Sequence, residues 1–282
     1  MLFRSRLAAE RLGVYLGQPF IVDNRAGAGT TLGTALVAKA KPDGYTMLGM
    51  TGSFMTASVT YANLPYDPVK DLTPVSQFTT SPNVFVSSMT FPPVNVQEFI
   101  RYARANPGKV NYATTGNGTQ AHLAGLWLEK MTGTKMTYVP YKDVGQMHID
   151  LNLGRVDATI SSPTNSLKDI TSGKKRGLAW TGMARSSLLP DMPTMKEQGL
   201  PEFDVSSLMG FWVTGGTPIP IVNKLGAALI RAAKEPEIAA KLAPSGNDMV
   251  GSTPEAFRKA VVDEIERWRT LLKEAGVAPI PL

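Results

Sequence analysis

Residues 110–123, VNYATTGNGTQAHL, join a short apolar strand, a polar glycine-rich loop and the start of a helix. The apolar and β-prone residues 110–113 predict the strand, and the helical pattern continues to about residue 132. A similar strand-to-helix turn occurs at Thr51-Gly52-Ser53, after the apolar residues 45–50. Alternation of short strands with helices is typical of α/β proteins whose sheets carry helices on both faces.

The same alternation extends over most of the chain. It predicts further strands at residues 20–22, 83–86, 136–139, 158–160, 178–180 and 208–214, a first helix at 4–17, and a helical tail that begins at Pro218 and ends with a helix over 254–275. A tail of this kind can return to pack on the first sheet, which would make one lobe discontinuous. We therefore predict two lobes, each a mixed, mainly parallel sheet flanked by helices. Lobe one would comprise residues 1–98 and 211–282, and lobe two residues 99–210.

Composition excludes several classes of protein. The 282 residues are 43% hydrophobic and 18% charged, which is typical of a globular protein, and no apolar run is long enough to span a bilayer. There is no cysteine, so disulfides, thiolate metal sites and cysteine nucleophiles are excluded. The net charge is +6, but the basic residues are scattered. We interpret their longest run, Lys174-Lys175-Arg176, as a solvated turn, and we predict no nucleic-acid partner.

Motifs for catalysis, metals and cofactors are absent or incomplete. No Gly-x-Ser-x-Gly sequence occurs, and the only two histidines are His122 and His148. His148 and Asp150 would diverge on a helix, so we interpret His148 as a surface helix residue and predict no metal site. The pair Gly27-x-Gly29 lacks the third glycine of a dinucleotide motif, because position 32 is Leu32. We predict no cofactor.

The two strand-to-helix loops indicate an anion site. In open α/β sheets, ligands bind beside the carboxyl ends of the strands. Residues 51–53 and 114–119 both offer hydroxyls and backbone N–H groups there, and the second loop also opens a helix, whose N-terminus favours an anion. His122 lies in the first turn of that helix. Its ring either faces the ligand or serves as a core or capping group.

Several stretches resemble the periplasmic solute-binding receptors of tripartite tricarboxylate transporters, the Bug receptors. The resemblance runs from about residue 7 to about residue 277. The matching stretches are GQPFIVDNRAGAG at 17–29, KPDGY at 41–45, LPYDPVKD at 64–71, ANPGKVNYA at 105–113, GNGT at 116–119 with His122-Leu123, VPYK at 139–142, LLPDMPT at 188–194 and GLP at 199–201.

The resemblance implies a two-lobed periplasmic-binding-protein fold, similar to type II, with a hinge of crossing strands. It implies a monomeric receptor that captures a small carboxylate in the periplasm, delivers it to the membrane permease subunits of the transporter and catalyses no reaction. Transferred to this sequence, the ligand-binding residues are Thr51, Gly52, Ser53, Thr115, Gly116, Asn117, Gly118, Thr119 and His122. Tyr141, Ser161 and Ser162 are added because they follow strands of lobe two.

Two alternatives stay open, and a departure from the family pattern makes the first of them credible. Family members begin with a leader, an apolar strand and a loop rich in proline and glycine, whereas here a helix is predicted almost from Met1. We therefore expect a truncated version of a family member. The first alternative is a degenerate paralogue that transports nothing. The second is a hydrolase on a two-lobed fold, with His122 as the base.

Overall fold

Amphipathic patterning accounts for the longest helices. In the computed structural model, which describes residues 2–25, 31–116 and 118–280, the last long helix buries Phe257, Val261, Ile265, Trp268 and Leu272 at spacings of three and four. Its N-cap side chain accepts a hydrogen bond from the backbone three residues on, and a proline occupies its first turn. The predicted apolar stripe is confirmed.

The described residues form ten α-helices, one short 3-10 helix and nine strands. The helices are α1 Leu2–Leu16, α2 Thr31–Ala38, α3 Ser53–Thr60, α4 Val96–Ala105, α5 Gln120–Thr132, α6 Val144–Asn152, α7 Pro163–Thr171, α8 Ile219–Ala233, α9 Pro236–Leu242 and α10 Pro254–Glu274. The strands are β1 Met47–Thr51, β2 Leu72–Pro82, β3 Val84–Ser88, β4 Asn111–Thr114, β5 Thr137–Pro140, β6 Ala158–Ser161, β7 Lys175–Trp180, β8 Ser206–Thr214 and β9 Asp248–Met249.

The first compact unit consists of Met1–Thr80 and Leu208–Leu282. Its sheet has the strand order β1-β8-β2-β9, and alternate residues of β8 pack on opposite faces. Met209 belongs to the cluster that α1 and α8 cover, whereas Trp212 lies between Phe54 of α3 and Phe257 of α10. The two ends of the chain therefore build one sheet and its helical layers.

The second unit consists of Ser81–Ser207, and its sheet has the order β5-β4-β6-β3-β7. β4 is parallel to both β5 and β6, whereas β3 is antiparallel to both β6 and β7. A cluster that includes Val86, Ala113, Met147, Leu151 and Trp180 forms part of its core.

Three expectations need correction. The units divide after Thr80 and after Ser207 rather than after residues 98 and 210, because β3 pairs with second-unit strands. The α/β class is confirmed, but the strand directions are more evenly mixed than predicted: β1 with β8 and β2 with β9 are antiparallel, as are two of the four ladders of the second sheet. Residues 20–22 form no strand, and Ile21 is 90% exposed with no pairing strand among the described residues.

Candidate functional site

Three neighbouring strands of the second unit end at the same edge of its sheet. β5, β4 and β6 run parallel, so the loops after them are adjacent at what we call the carboxyl edge. Asn117 lies outside the described residues. The other predicted residues of this unit follow these three strands: Thr115, Gly116, Gly118, Thr119 and His122 after β4, Tyr141 after β5, and Ser161 and Ser162 at the end of β6.

The loop after β4 is shaped by its glycines and by internal hydrogen bonds. Gly116 and Gly118 have φ angles of 121° and 72°, a conformation that residues with a Cβ rarely adopt. The hydroxyl of Thr119 donates to the Gly116 carbonyl at 2.8 Å. The hydroxyl proton of Thr119 is therefore directed at the loop itself. This side chain stabilises the loop, whereas the sequence suggested that its hydroxyl would face a ligand.

His122 supports this loop from inside. Its Nδ1 atom accepts a hydrogen bond from the Gly118 backbone N–H at 3.0 Å, and its ring lies edge-on to that of Tyr138. Burial lowers the pKa of His122, so the neutral ring is favoured. Because an amide N–H only donates, the ring proton must be on Nε2. Of the two roles considered from the sequence, the Nδ1 contact matches the capping role.

The start of α5 is suited to an anion. Thr119 is its N-cap residue but makes no side-chain capping bond, and the first N–H groups of a helix have no intrahelical partner. The positive end of the helix dipole adds to this preference. The hydroxyl of buried Tyr112 donates to the Ala121 carbonyl at 3.0 Å and accepts from the Ile160 N–H at 3.1 Å, which ties this turn to β6.

Tyr141 is turned toward α6. Its hydroxyl donates to Asp150 Oδ2 at 2.9 Å, and Arg155 Nη1 donates to Oδ1 of the same carboxylate at 2.9 Å. The hydrogen bond from Tyr141 is the largest contribution that lowers the pKa of Asp150. The tyrosine proton is therefore held by Asp150 and is not directed at a ligand.

Ser161 ends β6 next to a buried charged network that the sequence analysis did not find. Its Oγ atom lies 3.1 Å from Nε2 of His148, and Nδ1 of His148 lies 2.7 Å from Nζ of Lys175. Lys175 Nζ in turn lies 2.9 Å from Asp169 Oδ2, and its side chain is 0% exposed. The next residue, Ser162, is the N-cap of α7 and makes no side-chain capping bond.

Two interpretations are wrong here. His148 is 8% exposed rather than a surface residue, and Lys175 is buried rather than part of a solvated turn. Lys175 is the first residue of β7, which continues as an apolar strand from Leu178. A lysine that opens an apolar strand was the available signal, but a sequence does not show that Asp169 lies opposite it.

The predicted first-unit residues follow β1. The Gly52 N–H donates to the Leu208 carbonyl at 3.1 Å, so this donor is used within the unit. The hydroxyls of Thr51 and Ser53 are 2.8 Å apart and share a hydrogen bond. Ser53 begins α3, whose N-cap residue Gly52 provides no side-chain bond. The hydroxyl pair and the first turn of α3 are therefore the polar groups that this turn presents.

The described residues contain neither a metal-binding cluster nor a membrane-spanning helix. No three or more histidine, aspartate or glutamate side chains there are grouped so that they could hold a metal ion. Over the same ranges, no helix combines the length and the apolar character needed to cross a membrane.

Solved structures of other proteins resemble this chain over nearly its whole length. One is Rpa4515 from R. palustris with adipate, at 33% identity and a TM-score of 0.81, covering 99% of this chain and 93% of that one. MatC from Rhodopseudomonas palustris with bound malate has 31% identity and a TM-score of 0.75, with coverage of 96% and 93%. The periplasmic binding protein BugD has 34% identity and a TM-score of 0.76, with coverage of 98% and 93%.

A family model points to the same relatives. The model described as the tripartite tricarboxylate transporter family receptor, TctC, matches residues 4–277. This match spans both units and includes every strand and loop of the candidate site. The chain therefore belongs to the receptor family of the tripartite tricarboxylate transporters, which includes the Bug receptors.

Proposed function

We propose that this protein is a solute-binding receptor that captures a small dicarboxylate at the carboxyl edge of its second unit. The observation that carries the proposal is the start of α5, where the Thr119 side chain caps none of the first N–H groups and the loop before them is held in shape by His122. Neutral donors at a helix start stabilise a carboxylate without a buried arginine.

The relatives support the chemical class of the ligand. The structures of Rpa4515 and MatC are described with adipate and with malate, which are both dicarboxylates. They differ in length and in the hydroxyl that malate carries, so the family accommodates more than one acid. Both ligands are therefore suitable first probes for this chain.

The first-unit turn is part of the proposal. The Thr51–Ser53 hydroxyl pair and the first N–H groups of α3 have the same chemistry as the start of α5, so within the first unit they are the groups that we propose for binding a carboxylate. The receptor acts as a monomer in the periplasm and delivers its ligand to the membrane subunits of the transporter. Family membership supports this delivery step, and the description of BugD supports the periplasmic location.

We further propose that the protein is not an enzyme. A serine hydrolase needs a histidine nitrogen that accepts the serine proton. In the pair Ser161 and His148, Nδ1 of the histidine faces the Lys175 ammonium, so Nε2 carries the proton and cannot accept another. Nδ1 of His122, the base of the hydrolase alternative, is already bonded to the Gly118 N–H.

Calorimetric titration tests the proposal. Adipate and malate are titrated into the folded protein, with adipamide as a neutral control of similar shape to adipate. We expect saturable binding of at least one diacid and none of the diamide, because the site recognises carboxylate charge. Equal binding of acid and amide contradicts an anion site. A folded chain that binds none of a broad panel of di- and tricarboxylates contradicts the receptor function and favours the non-transporting paralogue.

A further inference from the structure

Four side chains from four elements form a continuous hydrogen-bonded relay inside the second unit. Ser161 ends β6, His148 lies on α6, Lys175 begins β7 and Asp169 lies near the end of α7. The successive distances are 3.1 Å, 2.7 Å and 2.9 Å. These contacts join side chains and are additional to the backbone hydrogen bonds of the sheet.

The charges in the relay follow from its geometry. Burial lowers the pKa of Lys175 overall, although the hydrogen bond and charge of Asp169 oppose this shift, and the 2.9 Å ion pair with Asp169 favours the ammonium form. Burial opposes ionisation of Asp169, but hydrogen bonds from Lys175 and Asn152 lower its pKa overall. The inner end of the relay is therefore a charged pair, and the outer end is a neutral hydroxyl.

The lysine determines which nitrogen of His148 carries the proton. An ammonium group has only donors, so Nδ1 must accept, and the neutral ring is protonated on Nε2. Burial first, and then the charge of Lys175, lower the pKa of His148 to about 4, so the ring stays neutral near neutral pH. The Nε2–H group consequently donates to Ser161 Oγ, which acts as the acceptor.

A serine oxygen that accepts from the histidine keeps its own proton for another partner. Ser161 lies at the carboxyl edge, where the proposed carboxylate would bind, and it is 8% exposed. We propose that Ser161 donates a hydrogen bond to the bound carboxylate, and that His148 is the positioning residue, held in its donor form by Lys175. This inference rests on the proposed function and adds a specific donor to it.

Nitrogen NMR tests the relay without any ligand. With ¹⁵N-labelled histidine the chain gives only two imidazole spin systems, and a His122→Gln variant identifies which belongs to His148. We expect His148 to have an unprotonated Nδ1 and a protonated Nε2. In Lys175→Met the Nδ1-protonated form should appear, because the ammonium that excludes it is gone. A wild-type His148 protonated on Nδ1 overturns the inference.

Titration of adipate or malate, whichever the wild type binds more tightly, into four variants tests the role of the relay in binding. Ser161→Ala should bind about tenfold or more weakly, because a hydrogen bond to a charged group is lost. His148→Leu should bind several-fold more weakly, whereas His148→Gln, which retains an N–H donor, should recover most of the affinity. The double variant Ser161→Ala with His148→Leu should bind no more weakly than Ser161→Ala alone, because the histidine acts only through the serine.

Ser187→Ala is the matched control, because Ser187 is an exposed serine in the same unit. Wild-type affinity in Ser161→Ala, or fully additive losses in the double variant, overturns this inference and leaves the proposed function intact. If the wild type binds no carboxylate, the proposed function is overturned and this inference with it.

Discussion

His122 and His148 present the same chemistry by different means. Both are buried, at 5% and 8% exposure, both have a lowered pKa, and both accept at Nδ1. The donor to His122 is the backbone N–H of Gly118, whereas the donor to His148 is the ammonium of Lys175. A backbone amide is an uncharged donor that the loop itself puts in place. A buried lysine ammonium is charged and needs a carboxylate partner, here Asp169.

The same tautomer can therefore be set either by local chain geometry or by an ion pair that is distant in sequence. The His122 contact spans only the first turn of α5 and the residues before it. The His148 contact depends on β7 and α7. We therefore expect variants of the second network to have larger effects on stability than variants of the first.

The largest effect is expected from Lys175→Met. The change removes the fully buried end of an ion pair and the hydrogen bond to His148, but Asp169 is 23% exposed and keeps its bond from Asn152, so we expect a loss of about 3 kcal/mol. Denaturant unfolding measures this loss. Lys174→Met is the matched control, because Lys174 is exposed, and its free energy of unfolding should change by no more than about 0.5 kcal/mol. Equal effects of the two variants would contradict the burial of Lys175.

The second-largest effect on the free energy of unfolding is expected from acid, through His148. The folded pKa is lowered from 6.5 to about 4, so the neutral ring stabilises the fold fully above pH 6.5, and this contribution is lost as the pH falls toward 4. A shift of this size corresponds to roughly 3 kcal/mol. The charged groups facing the ring are Lys175 and Asp169.

The free energy of unfolding, measured from pH 7 to pH 4, tests this prediction. His148→Leu should lose less stability over this range than the wild type, because it lacks the titrating ring. Identical pH dependence in wild type and variant would show that His148 does not titrate in this way. His122→Leu provides the comparison for the histidine that is held by a backbone amide.

The helix that carries His122 should be sensitive to crowding. A Cβ at Gly125 of α5 would lie 2.8 Å from the ring of Tyr138 and 2.9 Å from that of Tyr112. Gly125→Ala should therefore destabilise the protein by about 1–3 kcal/mol in denaturant unfolding. Gly13→Ala in α1 is the control, since a Cβ there would lie 3.4 Å from the Gln18 carbonyl oxygen, an ordinary van der Waals contact. An unchanged free energy of unfolding in Gly125→Ala would show that the two tyrosine rings move apart easily.

The smallest effect is expected from Thr119→Ala. This change removes one hydrogen bond within the loop, which is worth about 1 kcal/mol of stability. Diacid affinity should fall modestly, because the loop loosens, and Thr119→Ser should restore it. A loss as large as that of Ser161→Ala would instead indicate that the Thr119 hydroxyl contacts the ligand directly.

Local patterns were sufficient for much of the fold. The stripe of α10 and the strand-to-helix turn of 110–123 follow from short-range periodicity and propensity, which require no knowledge of neighbours. β2 was missed, because an 11-residue buried strand that contains Pro74 and many hydroxyl residues has no clear alternation. Residues 20–22 have the composition of a strand, but a strand also needs a hydrogen-bonding neighbour.

In the candidate site too, some features follow from local sequence and others depend on tertiary neighbours. The residue types, the glycines that permit the loop and the helix start that favours an anion can all be recognised along the chain, because they act within a few positions. The direction of a polar proton often cannot, since it depends on which partner the fold brings near: Asp150 for Tyr141, and Lys175 for His148. Hydrogen bonds act over about 3 Å, and the separation along the chain says little about such distances.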